Sequence, residues 1–136
     1  DELQAGILRV KLRHLDAWNT RRMQLADLYR ELLANTELIL PGQPRNSTHV
    51  FHQFVIRHPR RDALRQYLKE RGVHTLVHYP VPVHLQPAYE NLGYSQGSFP
   101  NTELVSREVL SLPLYPELSE EDVHRVCGAI LDFFSQ

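Results

Sequence analysis

His49-Val-Phe-His-Gln-Phe-Val-Ile-Arg57, His58-Pro59, Asp62-Ala-Leu-Arg-Gln-Tyr-Leu-Lys-Glu-Arg71, Gly72 and Val73-His-Thr-Leu-Val-His78 follow one another along the chain, and this run decides the fold. Residues 49–57 are rich in β-formers and predict a strand, which His58-Pro59 ends. In the next segment Ala63, Leu64, Tyr67 and Leu68 share one helical face, and Gly72 supplies the left-handed residue that stops the helix. Val73–His78 predicts a second strand. A β-α-β unit therefore lies at the centre.

Downstream, Pro80, Pro82 and Pro87 exclude a long regular element, and Gly93, Gly97 and Pro100 extend the irregular stretch. Asn101 is placed to cap a short helix reaching about Val109, with Glu103 favourably sited in its first turn. Leu110-Ser-Leu-Pro113 predicts a third short strand. Ser119 caps a last helix with Asp122 close to the capping-box position, and Val123, Val126, Cys127, Ile130 and Phe134 form its apolar face. The expected fold class is α+β, a two-layer domain with helices on one face of a small sheet.

Upstream, Leu3, Ile7, Val10, His14, Trp18, Leu25, Leu28 and Leu32 recur at three- and four-residue steps. One long helix, or two nearly continuous ones, is expected from the N-terminus to about Ala34. At 1.5 Å per residue such a rod is about 50 Å long, longer than a domain of this size is wide. Part of its apolar surface then has nothing in the chain to lie against. Because the pattern is already running at Leu3, further polypeptide is expected ahead of Asp1, and the chain alone is expected to self-associate through Leu3, Ile7 and Val10.

The 136 residues suit a single domain, and a net charge of −1 gives no electrostatic bias towards nucleic acid or acidic membrane. No apolar run is long enough to span a bilayer. Cys127 is the sole cysteine, so no internal disulfide forms; the reading is intracellular, with Cys127 a small core residue.

Chemistry concentrates in His74-Thr-Leu-Val-His-Tyr-Pro-Val-Pro-Val-His-Leu-Gln-Pro-Ala-Tyr89. A proline-stiffened loop suits a wall that presents donors at fixed positions, and imidazole, phenol and amide groups bond hydroxyls, phosphates and carboxylates. The bland alternative is a rigid surface loop with solvated histidines. Metal is not expected, since no carboxylate or cysteine accompanies the histidines and the His78–His84 spacing fits no zinc pattern. His49 and His52 are expected on opposite faces of their strand. Nucleophile elbow, P-loop and dinucleotide fingerprint are all missing from the sequence, and Lys11 and Lys69 read as solvated helix residues.

Three blocks carry a family resemblance. Asp1-Glu-Leu-Gln-Ala-Gly-Ile-Leu8 with Leu15-Asp-Ala-Trp-Asn-x-x-Arg22 resembles the segment after the active-site region of the DegT/DnrJ/EryC1/StrS sugar aminotransferases. Gly72–Tyr89 resembles that family's small-domain loop, and Leu110-Ser-Leu-Pro-Leu-Tyr-Pro116 with Ser119-x-x-x-Val123 resembles its C-terminal ending. The blocks occur in family order along nearly the whole chain.

The resemblance implies the small domain of a fold-type I enzyme that uses pyridoxal 5′-phosphate as electron sink. Such an enzyme moves an amino group, usually from glutamate, onto a keto group of a nucleotide-linked deoxysugar. Residues 1–34 would form an interdomain and interface helix, and residues 35–136 the C-terminal small domain. The catalytic lysine would belong to a large domain outside this chain, which by itself would be inactive and hold no cofactor. The implied assembly is a cytoplasmic homodimer. His78, Tyr79, His84 and Gln86 would lie in a loop at the active-site mouth, with His78 and His84 as sugar or phosphate contacts and Tyr79 as a wall residue. The loop is most similar to members aminating the 3-position of a dTDP-linked 3-keto-6-deoxyhexose. The competing readings are a dehydratase of the same fold using pyridoxamine phosphate, and a non-enzymatic binding or regulatory module.

Overall fold

The structure, a computed structural model, describes residues 1–43 and 45–136. Helices α1 (Glu2–Leu12) and α2 (Leu15–Leu33) form the N-terminal rod. It breaks at Arg13 and His14, whose amides reach back to the carbonyls of Val10 and Lys11 at 3.3 and 3.0 Å. The His14 ring stacks on Trp18 there, 5.6 Å between centroids. Of the two expected forms, the rod takes the second: two helices nearly in continuation.

Strand β1 (Phe54–Arg57) pairs antiparallel with β2 (Val109–Leu112), with Phe54 opposite Leu112 and Ile56 opposite Leu110. Single bridges widen this ribbon, Ile39 to Arg57 on one edge and Leu76 to Ser111 on the other. Helix α3 (Arg61–Glu70) follows β1, α4 (Pro100–Glu108) runs straight into β2, and α5 (Glu120–Phe134) closes the chain. Two short 3-10 turns, Val83–Leu85 and Pro87–Leu92, punctuate the proline-rich stretch.

Alternation along the ribbon sends Phe54, Ile56, Leu110 and Leu112 into one core with Leu25, Tyr29 and Leu33 of α2, Leu64 and Leu68 of α3, and Val123, Val126 and Ile130 of α5. Each fully buried large side chain contributes about 1.5–3 kcal/mol of transfer free energy. Tyr29 stacks on Phe54 at 4.9 Å and its hydroxyl donates to the Pro113 carbonyl at 3.0 Å, so α2 is fastened to the end of β2. Burial, chiefly, pushes that phenol well above its ordinary range. The two-layer α+β class expected from the pattern is the one observed.

Several local expectations need correction. The strand read over 49–57 begins only at Phe54. Phe51 adopts φ 49°, a left-handed conformation that buries its ring, and its amide donates to His49 Nδ1 at 2.9 Å. A tight turn therefore replaces the first half of the strand. Among the described residues, 73–78 share a single backbone bridge with β2, at Leu76, because the chain then leaves toward prolines that carry no amide donor. In α3, Ala63 is exposed, not inward. Phe99, not Asn101, occupies the N-cap of α4, with Pro100 in the first turn. Ser119 does cap α5, accepting from the Asp122 amide at 3.0 Å while its hydroxyl donates to Asp122 Oδ2 at 2.7 Å. Gly72 has φ 74°, the left-handed stop expected after α3.

Candidate functional site

The end of the β2 edge and the turn before β1 together hold His78. Its Nδ1 lies 3.0 Å from Ser111 Oγ and 3.2 Å from Gln53 Nε2. Ser111 sits in a strand whose four residues are all buried, and its backbone bonds Leu76 in both directions, so its hydroxyl is a fixed point. An amide nitrogen can only donate; an Nδ1 that accepts from Gln53 therefore carries no proton, and the neutral ring holds its proton on Nε2. His78 is in this way set up as a hydrogen-bond donor. It opens onto a hollow of about 260 Å³ whose rim also holds His52, Gln53, His74, Ser111 and Pro113. His49 and His52 both precede β1: His49 packs on Phe51 at 4.2 Å, while His52 joins the His78 hollow.

Tyr79 and Gln86 come together. With Pro80, Val81 and Pro87 they bound a second, open cleft of about 400 Å³, and Gln86 Nε2 donates to the Val81 carbonyl at 3.5 Å. Tyr79 is 70% exposed, and the His78 ring meets its edge at 5.7 Å. Residues 78–86 thus present a donor imidazole, an exposed phenol and a partly tethered amide.

His84 is placed differently. Its side chain is only 8% exposed, its Nε2 lies 3.1 Å from Glu103 Oε1, and its ring packs on Phe99 at 4.8 Å. The same carboxylate oxygen accepts from the amides of Gly97 at 2.8 Å and Phe99 at 3.4 Å. Burial favours the neutral acid, but these bonds and the neighbouring imidazole outweigh it, and the carboxyl titrates below its ordinary range. Glu103, read from sequence as an acid favourably sited in a helix's first turn, is an interior anion. Gln53 and Ser111 also escaped sequence reading: Gln53 lay inside an apparent strand, and a serine among leucines gives no signal of a partner 33 positions away.

Among the described residues no group of three or more His, Cys, Asp or Glu is arranged to hold a metal ion. Cys127 is buried in α5, and burial pushes its thiol up to about 12, which removes it as a nucleophile. No described helix is long and apolar enough to cross a membrane.

The model of the DegT/DnrJ/EryC1/StrS aminotransferase family matches residues 1–131. The chain belongs to that family. Within the family, it is 46% identical over 98% of its length to the dTDP-3-amino-3,4,6-trideoxy-alpha-D-glucose transaminase of Streptomyces venezuelae, covering 35% of that protein. It is 44% identical over 98% of its length to a pleiotropic regulatory protein of Geobacillus stearothermophilus, covering 37% of it. Among solved structures it superposes on S. venezuelae DesV in complex with a ketimine intermediate, with a TM-score of 0.96 and 44% identity, covering 100% of this chain and 37% of that one. The chain thus spans a little over a third of the length of these relatives. The superposition takes in α1 and the Arg13–His14 break, so the rod has a counterpart in that structure.

Lys11 and Lys69 are both exposed on helix surfaces, and neither borders the hollows of His78 or Tyr79.

Proposed function

We propose that this chain is the C-terminal small domain of a pyridoxal-phosphate-dependent aminotransferase acting on a nucleotide-linked keto-deoxysugar. In this reading residues 1–34 are the interdomain and interface helix and residues 35–136 the small domain. A large domain supplies the lysine and the cofactor site, and a second subunit covers the rod in a cytoplasmic homodimer. The amino donor is glutamate, and the sugar is of the dTDP-linked 3-keto-6-deoxy class.

The residues here bind and orient; they do no covalent chemistry. His78 donates from Nε2 to an oxygen of the sugar or its phosphates, and Tyr79 and Gln86 line the mouth with neutral donors. His84 acts from behind that wall. The observation that carries the reading is the superposition of the whole chain, rod included, on S. venezuelae DesV in complex with a ketimine intermediate.

The regulatory name of the Geobacillus relative favours one alternative, a module that senses and does not transfer. One experiment separates them. The polypeptide as its gene encodes it is incubated with 15N-glutamate and a dTDP-linked 3-keto-6-deoxyhexose, and the sugar product is weighed by mass spectrometry. Label in the sugar supports amino transfer. Loss of water without label supports the dehydratase, and an unchanged sugar supports the regulatory module. Residues 1–136 alone, mixed with pyridoxal phosphate, are expected to give no stoichiometric visible band.

A further inference from the structure

Residues 79–99 fold as a loop with internal turns: Leu85 to Pro82, Gln86 to Val83, Tyr89 to Gln86, Gly93 to Glu90 and Ser98 to Ser95, all amide to carbonyl. Every hydrogen bond tying this loop to the rest of the described chain is made to one residue, Glu103. Its carboxylate takes the Gly97 and Phe99 amides and His84 Nε2, and its own amide donates to the Phe99 carbonyl. Glu103 is itself 5% exposed, on a helix that packs against β1. A carboxylate in such a place is expensive unless donors meet it, and here three donors of one loop converge on its Oε1.

We infer that Glu103 is a positioning residue for substrate binding, a buried latch that sets the Tyr79–Gln86 wall by holding the loop at His84 and at Gly97–Phe99. The inference rests on the functional reading above. The mechanical link is short. Residues 79–81 and 86–88 form the two sides of the Tyr79 cleft, and the turn between them, Val83–Leu85, carries His84 at its centre. A carboxylate accepts only, so His84 must offer Nε2–H, and this fixes the ring in one orientation against Phe99, which in turn meets Tyr94 at 5.0 Å. Released at both points, residues 84 to 99 regain the freedom of an open loop, and the cleft loses its fixed shape. His84 accordingly serves as the loop's grip, while the outward chemistry falls to Tyr79 and Gln86.

The test compares Glu103→Ala, Glu103→Asp and Glu103→Gln in the polypeptide as its gene encodes it, reading amide exchange by mass spectrometry and steady-state kinetics. Glu103→Ala is expected to speed exchange across 79–99 at least about tenfold and to raise KM for the nucleotide sugar about tenfold, with kcat and KM for the amino donor within about twofold. Exchange in α5 should not change. Glu103→Asp, one methylene too short, should behave similarly and replaces the alanine variant if that protein does not fold. Glu103→Gln retains the accepting oxygen and should restore most of the protection and the KM. Unchanged exchange in 79–99 overturns the latch, as does faster exchange with an unmoved nucleotide-sugar KM. If the unsubstituted protein transfers no amino group, the functional reading falls instead, and the exchange result alone judges whether Glu103 holds the loop.

Discussion

Helices α1 and α5 carry apolar stripes of the same spacing, yet only one of them is covered. In α5, Val123 and Ile130 are completely buried and Val126 and Cys127 nearly so, pressed on α2 and α3. In α1 no residue is buried: Leu3, Ile7 and Val10 stand 80%, 62% and 56% exposed. The caps do not separate the two, since Asp1 accepts from the Leu3 amide much as Ser119 accepts from that of Asp122. Periodicity shows that a face is made to be covered. It does not name the cover, and among the described residues none buries a side chain of α1.

The sharpest way to test that contrast is to truncate each stripe. Ile130→Ala should cost about 2–5 kcal/mol in denaturant unfolding, the range for emptying a buried aliphatic site. A loss below about 1 kcal/mol would mean that α5 is not docked as described. Removing the α5 cap by Ser119→Ala should cost about 1 kcal/mol by the same measurement.

Cys127 reports on the same docking without a substitution. Its thiol should resist an aromatic disulfide reagent near pH 8 in the native protein and react fully once unfolded. Since its folded value of about 12 lies above that of an exposed thiol, burying it stabilises the fold fully below the ordinary thiol range. That contribution fades as pH climbs toward the folded value. Fast native-state labelling would break the comparison.

The smallest effect is expected in α1. Leu3→Gln with Ile7→Gln should shift unfolding by no more than about 0.5 kcal/mol. Sedimentation equilibrium should nevertheless show the unsubstituted chain associating and the double variant monomeric. If the double variant unfolds the core, or if the unsubstituted chain is a monomer at high concentration, α1 does not have the role argued for it.

The parts legible in sequence were those whose cause is local. The Ser119 cap, the Gly72 stop and the apolar face of α5 depend on neighbours within a turn or two, and each stands where expected. The long rod was legible for the same reason. The misread parts depend on distant partners. Residues 49–53 have strand-forming side chains, but Phe51 gives up the extended conformation to bury its ring beside Phe54, 6.1 Å away. Glu103 looked like an acid stabilising a helix start, and nothing near it in sequence announces that His84 and two loop amides converge on it. In the candidate site, His78, Tyr79 and Gln86 could be named from the loop, whereas the groups orienting His78 come from other strands and turns.

Arg61 carries one last lesson. From the first turn of α3 its buried guanidinium donates to the carbonyls of Val109 at 2.7 Å and Ser106 at 3.4 Å, where α4 stops and β2 starts. The punctuation between a helix and a strand is thus written by a side chain more than forty positions earlier. An added residue between His58 and Arg61 would leave its own neighbourhood comfortable and do its damage remotely, shifting which residues of β1 and β2 face one another. Tolerance to insertion in this fold follows the reach of a guanidinium, not the softness of the loop that receives it.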